Sequence, residues 1–175
     1  MPTAAEEREA EAPRSEAATV GRAYFEAVGA RDLDAMTALW QRGAIDEIHG
    51  LVSMRAPDEI RAWFGNAFRA VPDLRMEILD LVGNDKKVAV HWRMTGTFSG
   101  EARFEGALAT GERIDITGCD LLTVRDGLIV HNDAYMNGMQ MARQLGVLPP
   151  LGSGQERAMV GAVNLKTRLA RLIRR

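Results

Sequence analysis

Apolar residues recur every three or four positions between Glu16 and Gly29, with Val20, Ala23, Tyr24, Ala27 and Val28 on one stripe. That spacing predicts an amphipathic helix. Asp32 is a suitable N-cap for a second helix from Leu33 to about Trp40, which turns Leu33, Met36, Leu39 and Trp40 inward. Ile45 to Val52 reads as a short extended piece carrying Asp46, Glu47 and His49. Pro57 then opens a third helix, at a position where its missing N–H costs nothing. This helix runs to about Ala70, with Ile60, Trp63, Phe64, Ala67 and Phe68 as its apolar stripe. After Val71-Pro72-Asp73 the period falls to two. Strands are expected from Leu74 to Gly83, Lys87 to Thr97, Glu101 to Ala109, 112 to 124 and 128 to 137. Three helices followed by a run of antiparallel strands predict an α+β fold, with the helices packed on one face of a curved sheet.

The last two strands carry the densest chemistry. Asp126-Gly127 between apolar runs is a hairpin signal, because Gly accepts positive φ without steric cost. If Val124 faces Ile129, then Leu122 faces His131, Asp120 faces Asp133 and Gly118 faces Tyr135. Alternation then puts Asp120, His131, Asp133, Tyr135 and Asn137 on the face that carries Ile114, Ile116, Leu122, Val124 and Ile129. Titratable groups on an apolar face suggest a pocket; the competing reading is the solvent face of the sheet. A three-residue loop with a bulge would suit Asp-Gly too, and would move the register by one. Cys119 alternates opposite to Asp120 and is expected on the other face.

With 175 residues, 46% of them hydrophobic, the chain can build one domain with an ample core. A net charge of −2 gives no reason to expect a nucleic-acid partner. No apolar run approaches the roughly 20 residues of a membrane span. The charged Met1–Glu11 stretch lacks the apolar segment of a signal peptide, and one cysteine excludes an intrachain disulfide framework. These features point to a cytoplasmic protein. Residues 1–15 read as a disordered arm and 16–150 as the folded domain. Residues 151–175 read as a basic, helical tail, with Arg157, Lys166, Arg168, Arg171, Arg174 and Arg175 against Glu156. No phosphate loop, nucleophile elbow or Ser/His/Asp pattern is present. His49 beside Asp46 and Glu47 is too sparse a ligand set for a metal site.

Several short motifs recur in order: Tyr24-Phe25-Glu26-Ala27, Arg31-Asp32-Leu33-Asp34, Ala70-Val71-Pro72-Asp73-Leu74, Met94-Thr95-Gly96-Thr97-Phe98-Ser99-Gly100, Thr110-Gly111, Gly118-Cys119-Asp120, Asp126-Gly127-Leu128-Ile129 and Arg143-Gln144-Leu145-Gly146. In this order, over about residues 18 to 148, the chain resembles the SnoaL-like polyketide cyclase family of the nuclear transport factor 2-like superfamily. That superfamily also holds limonene epoxide hydrolases and ketosteroid isomerases. The resemblance implies a cone, a bent sheet wrapped by three helices around an apolar cavity for a small hydrophobic molecule. It also implies homodimers paired through the outer face of the sheet, and no cofactor.

In SnoaL-like cyclases an Asp near the end of the last strand serves as acid/base. The resemblance makes Asp133 the nearest candidate, although the usual spacing falls on Ala134 and the Asp usual before the last helix is Asn137. Asp120 would form a carboxylate pair with Asp133, and His131 would share its proton; inside a cavity one of the pair would titrate high. The catalytic candidates are therefore Asp133, Asp120 and His131. The substrate-contact candidates are Tyr24, Trp40, Trp63, Tyr135, Asn137 and His91. His91 lies on a strand whose Arg93 lacks the Asp of the epoxide-hydrolase pair, and it could equally belong to the outer face. The expected function is cofactor-independent acid/base chemistry on a small carbonyl- or epoxide-bearing substrate. The alternatives are a non-catalytic binding module or an adaptor acting through its tail.

Overall fold

The computed structural model describes residues 15–173. The proposed N-terminal arm, but for residue 15, lies outside them. Helix α1 (Glu16–Ala30) starts at Ser15, whose hydroxyl accepts the Ala18 amide at 3.2 Å, and ends at Arg31 in the left-handed region. Helix α2 (Leu33–Ala38) is capped by Asp32, which accepts the Asp34 and Ala35 amides. Strands β1 (Trp40–Ile48) and β2 (Val52–Arg55) come next, followed by helix α3 (Asp58–Ala70). Strands β3 (Arg75–Gly83), β4 (Lys87–Thr97), β5 (Arg113–Arg125) and β6 (Leu128–Met136) complete one six-stranded sheet. A short helix α4 (Gly138–Gln144) and a long helix α5 (Gly154–Ile173) close the chain.

The strand order is β2-β1-β6-β5-β4-β3. All neighbours are antiparallel except β1 and β6, which run parallel; strand order along the sequence did not reveal that pairing. The sheet is curved and unclosed. Helix α1 packs across β3, β4 and β5. Beneath it lies a core that includes Tyr24, Val28, Val88, Val90, Ile116 and Leu122.

Two sequence expectations need correction. Trp40 opens β1 instead of ending the second helix. The segment Glu101–Ala109 is not a strand: Glu105 and Gly106 take φ values of 47° and 83°, and Phe104 and Ala107 form a lone two-residue turn bridge. This flap is pinned to α3, where Trp63 Nε1 donates to Glu105 Oε1 at 3.1 Å and Asn66 Nδ2 donates to the Arg103 carbonyl at 2.7 Å.

Helix α5 is held at its start. Arg143 meets Glu156 at 2.6 Å, and the Gly152 amide donates to the same carboxylate. From Arg157 to Leu172 every side chain is exposed, the apolar Met159, Val163, Leu165, Leu169 and Leu172 included. No helix among the described residues is long and apolar enough to cross a membrane.

Candidate active site

The β5–β6 turn is the two-residue Asp126-Gly127 loop with φ values of 51° and 74°, the geometry that suits a tight hairpin. Val124 faces Ile129, as the sequence pattern predicts. Val130 is then an extra residue: the next pair is Thr123 with His131, followed by Leu122 with Asn132, Leu121 with Asp133, Asp120 with Ala134 and Cys119 with Tyr135. A one-residue bulge turns every later side chain to the opposite face. The expected Asp120–Asp133 pair is therefore not formed. Asn132, Ala134 and Met136 point inward, while His131, Asp133 and Tyr135 point out.

Inside, three polar side chains form a row across β1, β6 and β5. Asp46 is the register partner of Asn132 on the parallel pair. Asn132 Nδ2 donates to Asp46 Oδ1 at 2.8 Å and to Asp120 Oδ2 at 2.7 Å, and the remaining oxygen Asp120 Oδ1 accepts Trp92 Nε1 at 2.7 Å. The indole reaches that oxygen by lying across Gly118, where a Cβ would stand 2.3 Å from the ring. Both oxygens of Asp120 are thus committed. Asp46 Oδ2 has no protein partner among the described residues.

Asp46 and Asn132 are each 1% exposed and Asp120 6%. Burial, reinforced by the neighbouring Asp120, pushes the Asp46 carboxyl up to about 7. Burial also lifts Asp120 to about 6, against the lowering effect of its Trp92 and Asn132 donors. Tyr24 lies beside them on α1. Burial, and then the two carboxylates, raise its phenol well above the ordinary range. The Tyr24 hydroxyl, Asn132 Oδ1 and Trp40 Nε1 are buried without a well-formed hydrogen bond, although the Trp40 indole stands near enough to the Tyr24 hydroxyl to offset part of that rise. Buried polar atoms left unpaired in a native fold call for an explanation.

Asp46 and Asp120, the two ends of this row, form the floor of an apolar cavity with about 80 Å³ of free volume. Tyr24, Phe25 and Val28 of α1 form one wall, and Trp63 and Phe64 of α3 another. Met76, Met94, Met136 and Met141 line it too. Among the described residues, Asp46 and Asp120 are its only acidic lining groups. The geometry suits proton exchange with an apolar ligand carrying one polar end.

Of the residues singled out in the sequence, Asp120, Tyr24 and Trp63 line this cavity. Trp40 is buried edge-on against Tyr24, with centroids 5.7 Å apart. Asn137 caps α4 by accepting the Gln140 amide at 3.0 Å. His91 is exposed on the outer face. His131, Asp133 and Tyr135 gather there with His49. Asp133 meets His49 Nε2 at 2.9 Å and His131 Nε2 at 3.2 Å, and the His49 ring stacks on Tyr135 at 4.4 Å. The His49 hydrogen bond, helped by His131, holds Asp133 below the usual carboxylate range. Among the described residues no group of three or more His, Cys, Asp or Glu is arranged to hold a metal ion.

The sequence reading did not select Asp46 or Asn132. Asp46 shares its strand face with Ala44 and Ile48, whereas Glu47 and His49 share theirs with Ile45. The more apolar set marks the inner face, and that contrast is the available signal. Nothing comparable announces the bulge, because Leu128-Ile129-Val130 is apolar throughout.

A family model described as a SnoaL-like domain matches residues 21–132. Among solved structures, the chain resembles a candidate SnoaL-like polyketide cyclase from Jannaschia sp. CCS1 at 19% identity and TM-score 0.68, covering 77% of this chain and 94% of that one. AclR, a candidate hydroxylase from Streptomyces galilaeus, aligns at 19% identity and TM-score 0.66, covering 91% and 98%. IdmH, a candidate polyketide cyclase from Streptomyces antibioticus, aligns at 24% identity and TM-score 0.60, covering 73% and 96%. Identities this low speak for the fold. No curated protein matches the sequence significantly.

Proposed function

Because the chain belongs to the SnoaL-like domain family, we propose that it is a cofactor-independent acid/base enzyme of the cyclase or isomerase type, acting on a small hydrophobic carbonyl compound. The observation that carries this reading is the Asp46–Asn132–Asp120 row at the floor of an apolar cavity, with one carboxylate oxygen and the Tyr24 hydroxyl unpaired. A carboxyl raised to about 7 is matched to general-base work near neutral pH. Asp46 Oδ2 removes a proton from the carbon next to a carbonyl. The C–H electron pair becomes the new C=C bond as the carbonyl π pair moves onto oxygen as an enolate, and the Tyr24 O–H donates to it. In a cyclisation, the enolate carbon then attacks a second carbonyl of the same molecule. The new alkoxide takes the proton from Asp46, which restores the carboxylate. For an epoxide, the same carboxylate would instead draw a proton from water as the water oxygen bonds to a ring carbon and that carbon's ring C–O bond breaks, and the resulting alkoxide would take the proton back from Asp46. Asn132 holds both carboxyls in place, and Asp120 keeps the Asp46 carboxyl high.

The outer face of the sheet leaves Leu121 and Tyr135 exposed, and we assign it to pairing with a second copy. Light scattering in solution checks that pairing: a monomer at all concentrations would dismiss it.

The reading is tested without knowing the substrate. Small aryl ketones are incubated with the protein in D₂O and α-deuteration is followed by NMR. Exchange above background that disappears in Asp46→Asn supports the enzyme. Ketones that bind but never exchange would leave a non-catalytic binding module.

A further inference from the structure

We propose that the ligand site has a second compartment. A groove at the cavity mouth takes an extended, uncharged apolar tail, so the ligand is an elongated molecule with one oxygenated end. This inference rests on the acid/base reading of the cavity floor. The groove lies between the β1–β2 turn at Leu51, the flap at Phe104 and Ala107, and α4 with its exit at Ala142 and Val147. Four residues line both the groove and the deep cavity: Phe104, Met136, Met141 and Leu145. The two spaces are therefore adjacent, with only those side chains standing between them as a threshold.

The chemistry of the groove sets the class of its occupant. Among the described residues, its only charge-bearing side chains are His49 and Glu105. Both are already engaged, His49 by Asp133 at 2.9 Å and Glu105 by Trp63 at 3.1 Å. Neither is left to recognise a charged tail. The rest of the groove is aliphatic, aromatic or glycine. The polar floor inside the cavity takes the head of the molecule. What lies across the threshold meets a mostly apolar surface with no uncommitted charge, which suits an alkyl or acyl chain or a further ring.

The test is a length series of phenyl alkyl ketones, with affinity measured by calorimetry on the full chain. For the native protein, affinity should rise about fourfold per added methylene and go on rising past the length at which the deep cavity is full. In Ala142→Phe, which fills the groove, short ketones should bind as before while the gain stops early. Val147→Asp, at an exposed position, is the second variant and should flatten the same part of the series. If short ketones bind and lengthening them brings no gain, or if both variants keep the full series, the groove proposal fails while the cavity reading stands. A change in oligomeric state with an unaltered series would make the groove a protein contact and would overturn the proposal. If no ketone of any length binds or exchanges, both readings fall together.

Discussion

Strand β6 separates two carboxylate clusters that have opposite electrostatic fates. On its inner side Asp46 and Asp120 share the two N–H donors of Asn132, with no cation beside them among the described residues, and burial lifts them to about 7 and about 6. On its outer side Asp133 lies between His49 and His131, with 29% of its side chain exposed, and is held low. The residue types alone are poor guides, since the outer cluster has the histidines and the denser motif. What separates the two is solvation. A carboxylate withdrawn from water and given only neutral donors keeps its proton, whereas one at a wet face beside imidazoles gives it up. Only the inner cluster combines a high pKa with a cavity.

The strongest way to break this contrast is to remove the unpaired carboxylate. Asp46→Asn keeps the oxygen that accepts from Asn132 and loses the base. Ketone exchange is expected to drop by at least about 100-fold, and residual exchange near the native level would put the base elsewhere. Tyr24→Phe should cost about 10- to 100-fold in the same assay, with binding of a non-exchangeable ketone nearly unchanged. Native exchange should itself climb as pH rises through about 7, as Asp46 loses its proton.

Stability should move in the opposite direction. The folded-state pKa values of Asp46 and Asp120 lie above the unfolded value of 3.8. The folded state therefore binds these protons more tightly than the unfolded state does. Their contribution is most favourable below about pH 4 and is lost as pH rises toward 7. Asp46→Asn should then stabilise the protein by about 4 kcal/mol at pH 8 and by little at pH 4, as read by chemical denaturation. Gly118→Ala tests the support of Asp120. The added methyl meets the Trp92 ring at 2.3 Å, and overpacking together with the displaced donor should cost about 1–3 kcal/mol. The smallest effects belong outside. Asp133 runs opposite to the inner pair, helping above about pH 4 and fading as pH falls through its lowered value. Asp133→Asn and His49→Ala should change exchange less than about twofold and stability by less than about 1 kcal/mol. A large loss of exchange in either would return the chemistry to the outer face.

The helices and most of the sheet were legible because burial imposes a strict period on them. Lys87–Thr97 is legible to the residue, since buried Val88, Val90 and Trp92 alternate with more exposed neighbours. The flap reads as a strand in the sequence because Ala102, Phe104 and Leu108 mimic alternation, while the positive φ at Glu105 leaves no mark on composition. Asp120 was found as a polar residue on an apolar strand face. Its partners were not, because Asn132 reaches that face only through the bulge at Val130. Asp46 needed the parallel β1–β6 pairing, a contact between segments some 86 residues apart.

The four methionines that line the cavity have a consequence for how the protein discriminates. A thioether chain is unbranched, polarisable and free to swap rotamers, so a wall made from it remoulds itself to its guest. Shape can then exclude little, and selectivity falls to the few fixed polar atoms on the floor. Such a protein should accept families of related skeletons and be strict only about where their oxygen lies. The same sulfurs make it perishable: oxidation to sulfoxide would bring dipoles into the greasy wall and close the site to its guests.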